Sequence, residues 1–169
     1  MKMQCKPLTR FAGLTAILFY LSAVVISCGS GEVFYGTTAM PPAASPLAMT
    51  VTATLSGAQE VPPVATAGTG SAVLSVNAAT GAINGTVTFS GLTSLALAAH
   101  IHQAAAGVNG PIIIPLTGGV GLTSGTWTVT AGAVLTAAQL GALQTGGLYI
   151  QIHTQIFPDG EIRGQLMTS

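Results

Sequence analysis

A chain of 169 residues that is 49% hydrophobic and only 5% charged has room for one packed domain but little electrostatic surface. Three of its four basic residues, Lys2, Lys6 and Arg10, crowd the N-terminus, and Arg163 is the one cation beyond them. Without a basic patch to neutralise phosphates, nucleic-acid binding is excluded, and long-range steering of charged ligands is weak.

The N-terminal cations precede an uncharged, mostly apolar stretch from Phe11 to Ser27. That order predicts a signal peptide over residues 1–27, since a membrane span needs about 20 apolar residues. The stretch closes on Val25-Ile26-Ser27-Cys28, which resembles the lipobox of bacterial lipoproteins, with Ile26 in place of a smaller residue. Lipidation of Cys28 would hold the protein outside the cytoplasm, anchored to a bacterial membrane on the periplasmic side or at the cell surface. The alternative is ordinary cleavage near Ser27 or Gly29. Cys5 and Cys28 are the two cysteines, one in the removed segment and one lipidated, so the domain is expected to lack disulfides. Beyond the signal, Arg163 faces Glu32, Glu60, Asp159 and Glu161, a formal balance of −3.

Residues 28–48, with Gly29-Ser30-Gly31 and Pro41-Pro42-Ala43-Ala44-Ser45-Pro46, read as the lipidated start of a flexible tether. The domain is expected over 49–169. Met49, Val51, Ala53 and Leu55 alternate with Thr50, Thr52, Thr54 and Ser56, as on a half-buried strand. Ser71 to Val76 and Ile83 to Phe89 alternate likewise around the Asn77–Gly81 turn and predict a hairpin. Strands are expected over Ala98–Gln103, Ile112–Ile114 and Gly125–Thr130. The Thr136-x-x-Gln139 spacing is that of a capping box and predicts one short helix, about Ala137 to Gln144, closed by Gly146-Gly147. A strand ending in His153, a turn at Phe157–Gly160, and a closing strand from Glu161 to Leu166 complete the chain. In that last strand Ile162, Gly164 and Leu166 are expected inward, with Glu161, Arg163 and Gln165 outward. Short alternating strands with Gly-rich turns predict an all-β, antiparallel β-sandwich.

The chemistry concentrates in three histidines. His100 and His102 lie two apart and share one strand face, with Ile101 opposite. His153 lies opposite the apolar face of Leu148, Ile150 and Ile152. If the two strands are neighbours, the three imidazoles converge. Three imidazoles with an open fourth position suit a mononuclear Zn or Cu site. The alternative is three hydrogen-bonded sheet residues holding loops. Glu60 and Glu161 are candidates to orient the rings from behind, although Glu60 is rather expected to pair with Arg163 and pin the first edge to the last strand. Trp127 and Tyr149 read as packing residues, and no nucleophile–base pair has recognisable context.

Four segments together resemble the CHRD domain, named after chordin. They are Leu55-Ser56-Gly57-Ala58-Gln59-Glu60-Val61-Pro62-Pro63-Val64, Ala99-His100-Ile101-His102, Tyr149-Ile150-Gln151-Ile152-His153-Thr154 and Pro158-Asp159-Gly160-Glu161-Ile162-Arg163-Gly164-Gln165-Leu166. The resemblance implies an immunoglobulin-like sandwich distantly similar to Cu/Zn superoxide dismutase, and no settled activity. Gly91-Leu92-Thr93 leading to His100 and His102, then Gly110-Pro111, is similar to that enzyme's copper strand and loop. Its dinuclear site uses six histidines and an aspartate, which three histidines cannot build. The expected function is therefore a lipid-anchored binding or structural module for an unidentified protein or small ligand. The competing class is a redox or hydrolytic enzyme built on a single metal.

Overall fold

The computed structural model describes residues 48–169. The expected signal peptide, Cys28 and the tether up to residue 47 lie outside the described residues. Nine strands, β1 (Ala48–Ser56), β2 (Thr69–Asn77), β3 (Ile83–Ser90), β4 (Ala96–Gln103), β5 (Ile112–Gly118), β6 (Gly125–Val129), β7 (Leu148–Thr154), β8 (Ile162–Gln165) and β9 (Met167–Thr168), accompany one helix, α1 (Ala137–Gln144). Each expected strand is present within a few residues of its expected bounds, because the period-2 alternation that marks it also decides which side is buried.

All pairings are antiparallel, and they run β1-β2-β3-β6-β5-β4-β7-β8 before returning to β1. The eight strands therefore close into a barrel. Its seam is short: Ser56 faces Arg163, and β9 continues along β1 through Val51 with Thr168 and Thr52 with Met167. Gly164 permits that seam, because a Cβ there would lie 2.5 Å from the Thr54 carbonyl oxygen. The expected all-β antiparallel architecture with one short helix is present. The two separate sheets of a sandwich are not what the ladders draw. Alternation reports one apolar face per strand, and a barrel interior and a sandwich interior place the same demand on it.

Inside the ring lie Val51, Leu55, Leu74, Val76, Val87, Ile101, Trp127, Ile150, Ile152 and Leu166, all at most 1% exposed. Helix α1 lays Leu143 on this core. Its capping box forms as expected: Gln139 N–H donates to Thr136 Oγ1 at 3.2 Å, and Thr136 N–H donates to Gln139 Oε1 at 2.8 Å. Gly147 N–H then closes the helix on the Ala142 carbonyl at 2.7 Å.

The closing strand departs from expectation on its outer side. Ile162 and Leu166 point into the core, as expected, but Glu161 and Arg163 are 0% and 1% exposed. They leave the barrel interior without reaching solvent, because loops cover the outer surface of β7 and β8. Strand β7 is consequently buried on both sides along nearly its whole length.

Candidate metal centre

Strand β4 pairs directly with β7, so the outward residues of both form one lattice. His102 faces Tyr149, which faces Gln165 on β8; His100 faces Gln151, which faces Arg163; Ala98 faces His153. This neighbour relation is the condition under which the two histidine strands could converge, and they do. One ring nitrogen from each of His100, His102 and His153 lies within 4.8 Å of the others. The ring centroids are 5.0–5.9 Å apart.

Two rings are held by backbone carbonyls. His102 Nδ1–H donates to the Gly110 carbonyl at 2.9 Å, and His153 Nδ1–H donates to the Pro158 carbonyl at 2.9 Å. A carbonyl only accepts, so each Nδ1 carries the hydrogen and each Nε2 is left with a lone pair. Those two Nε2 atoms and Nδ1 of His100 are buried without a hydrogen-bond partner. An unmet buried polar atom costs about 1–3 kcal/mol, and here three stand on neighbouring rings. Zn or Cu accepts just such nitrogens at about 2.0–2.1 Å.

The rings favour the neutral form. Burial lowers the pKa of His100, helped by repulsion from His153 and His102. Burial also lowers His102 against its Gly110 hydrogen bond, with His153 and Arg163 adding to the effect. His153 is lowered by burial in spite of the Pro158 hydrogen bond and the Asp159 charge. Neutral imidazole is the metal-binding form.

The expected helpers fall elsewhere. Glu60 and Arg163 do not share a hydrogen bond. Gln151 Nε2–H donates to Glu60 Oε2 at 2.5 Å and to the Asp159 carbonyl at 2.8 Å. Arg163 donates to Asn109 Oδ1, the Ala105 carbonyl and Gln165 Oε1 at 3.1–3.3 Å. Its guanidinium carbon sits 3.5 Å from the centre of the Tyr149 ring. Burial pushes the Glu60 carboxyl up to about 7 against the pull of Gln151 and Arg163. Glu161 is held apart from the rings. It accepts from Thr66 Oγ1 at 2.6 Å, Thr93 N–H at 2.7 Å and Thr154 Oγ1 at 2.8 Å. Burial pushes its pKa up, but these hydrogen bonds outweigh that and leave it lowered. Neither carboxylate orients a ring; the Gly110 and Pro158 carbonyls do so.

Tyr149, read from sequence as packing, stacks on His102 with centroids 4.8 Å apart and planes 15° apart. Gln151 carries no motif of its own in the sequence, yet it ties the Glu60 loop to the turn that holds His153. Both stand two and four positions from His153 on the outward face, a period that would have found them. Gly160 lets the turn approach: its φ is +133°, and a Cβ there would meet Gln151 Nε2 at 2.0 Å.

The four segments quoted from the sequence, spread from Leu55 to Leu166, thus meet on one outer face of the barrel. No curated protein and no solved structure matches the chain. The CHRD domain family matches residues 51–166, well over half of the sequence and all but a few residues of the barrel. That span contains the three histidines, Glu60, Tyr149, Gln151 and Arg163, and on it the chain belongs to the CHRD domain family.

Proposed function

We propose that this protein is a CHRD-domain binding module that carries one metal ion, Zn or Cu, on His100, His102 and His153. It works outside the cytoplasm, held to a membrane by lipid on Cys28. The observation that carries the metal reading is that each of the three rings offers a nitrogen within 4.8 Å of the others, and each also has a buried nitrogen without a hydrogen-bond partner. Fixed tautomers on His102 and His153 add to it, since a ligand whose lone pair is already aimed needs little reorganisation. The anchoring part is supported by the order of charges, apolar stretch and cysteine in residues 1–28. The immunoglobulin-like, superoxide-dismutase-like outline belongs to this reading too, supported by the antiparallel all-β content and the His-x-His strand.

Elemental analysis of the purified protein tests the site. Wild type is expected to hold close to one equivalent of metal, and the His100→Ala, His102→Ala variant close to none. Equal content in both defeats the site. Labelling with a fatty-acid analogue, with and without Cys28→Ala, tests the anchor separately; label retained by the variant overturns it.

A further inference from the structure

We infer that the site is built for a singly charged, soft ion, and that cuprous copper is its resident metal. This inference rests on the three-histidine reading and asks which ion that site prefers.

The donors are uncharged. The carbonyl-bound Nδ1–H groups of His102 and His153 leave neutral Nε2 lone pairs, and no carboxylate or thiolate completes the cluster among the described residues. A dication on three neutral donors keeps both of its charges in a site where the donor atoms are shut off from water. The cost of burying an ion rises with the square of its charge, so a monocation suffers far less.

A second positive charge stands nearby. Tyr149 on β7 stacks on His102 of β4 and carries the Arg163 guanidinium of β8 over its ring. Strands β4 and β8 flank β7, so guanidinium and imidazole approach the phenol from opposite sides. Arg163 is 1% exposed and hydrogen-bonds only to neutral acceptors. Two acids lie in range. Glu60 senses Arg163 but bonds to Gln151, and burial favours its protonated form. Asp159 acts on His153 from an exposed position, where solvent screens it. A buried guanidinium beside neutral ligands raises the potential at the site and penalises each added unit of metal charge.

Coordination number points the same way. Cuprous copper has a filled d shell and is content with three nitrogen donors. Zn(II) would have to draw in water as a fourth ligand, and Cu(II) favours a tetragonal set with more, whereas Cu(I) needs neither.

The test uses the full chain. Competition for Cu(I) against the chromophoric chelator bicinchoninate, under anaerobic conditions with ascorbate, gives one dissociation constant. Parallel titrations give those for Cu(II) and Zn(II). Wild type is expected to bind Cu(I) at least about a hundredfold more tightly than either dication. Arg163→Gln is expected to narrow the Cu(I) to Cu(II) ratio by about tenfold, equivalent to a fall of about 59 mV in the potential of the bound copper. Arg163→Lys, which retains the charge, is expected to restore most of it. Binding of Zn(II) or Cu(II) as tightly as Cu(I) by wild type overturns the inference, whether or not the Arg163 variants fold. Binding of no ion at all instead overturns the three-histidine site itself.

Discussion

Two outer faces of the same barrel wall differ in every respect except backbone geometry. Across β2 and β3 the outward residues are a ladder of hydroxyls: Ser71 meets Thr88 at 2.9 Å and Thr69 meets Ser90 at 3.5 Å, all exposed, with Val73 60% exposed beside them. Across β4, β7 and β8 the outward residues are His100, His102, Tyr149, Gln151, His153 and Arg163, covered by loops that bring Glu60, Asn109 and Pro158 onto them. Every acidic, basic and histidine residue between 48 and 169 belongs to this second face or to the loops around it. The hydroxyl face leaves its polar groups open to solvent. The covered face takes polar groups out of water, which costs free energy and is tolerated where it sets up chemistry.

The largest expected effect that separates the faces is on stability. Glu161→Ala removes a fully buried carboxylate, leaving Thr154 Oγ1–H without its acceptor in a buried position and Thr66 Oγ1–H and Thr93 N–H without theirs in part-buried ones. A loss of about 3–5 kcal/mol is expected in chemical denaturation. A loss under about 1 kcal/mol would mean that the covered face is looser than its hydrogen bonds indicate.

Metal comes next. Metal at a thousand times its dissociation constant is expected to stabilise wild type by about 4 kcal/mol, read as a rise in melting temperature, and to leave His100→Ala, His102→Ala unmoved. An equal rise in both proteins would place the metal elsewhere.

A smaller effect separates the faces by pH. Glu60 has a folded-state pKa of about 7 against an ordinary 4.5, so the folded chain holds its proton more tightly than the unfolded chain. Its contribution is complete below pH 4.5 and is lost as pH rises towards and through 7. Glu60→Gln mimics the protonated group. It is expected to match wild type near pH 4 and to exceed it at pH 8 by on the order of 1–3 kcal/mol. The histidines act in the other direction, with their lowered pKa values removing stability as pH falls below 6.5. That background is shared by both proteins and cancels in the comparison. A pH-independent difference between variant and wild type would show that Glu60 is not held as the acid.

The smallest effect is the control. Ser71→Ala on the hydroxyl ladder is expected to change stability by less than about 0.5 kcal/mol and metal content not at all.

His100 and His102 were placed on one face by their spacing of two, and His153 by its place opposite Leu148, Ile150 and Ile152; all three faces are as read. The pairing of β4 with β7 was not legible, since 44 residues with two strands and a helix separate Gln103 from Leu148. Glu60 and Arg163 are complementary in sign, but charge does not reveal geometry. Gln151 took the carboxylate, and the Tyr149 ring took the guanidinium. The carbonyls of Gly110 and Pro158 could not be read at all, because every residue has a carbonyl and only the chain path decides which one meets a ring nitrogen.

Local pattern alone determined the strands, the capped helix, the inward side of each strand and the shared direction of the histidines, because these depend on periodicities of a few residues. Closure of the ring, the covering of one outer face and the meeting of three imidazoles depended on which distant strands pair. Those outcomes arise from packing and backbone hydrogen bonding over the whole chain, and only the tertiary structure decided them.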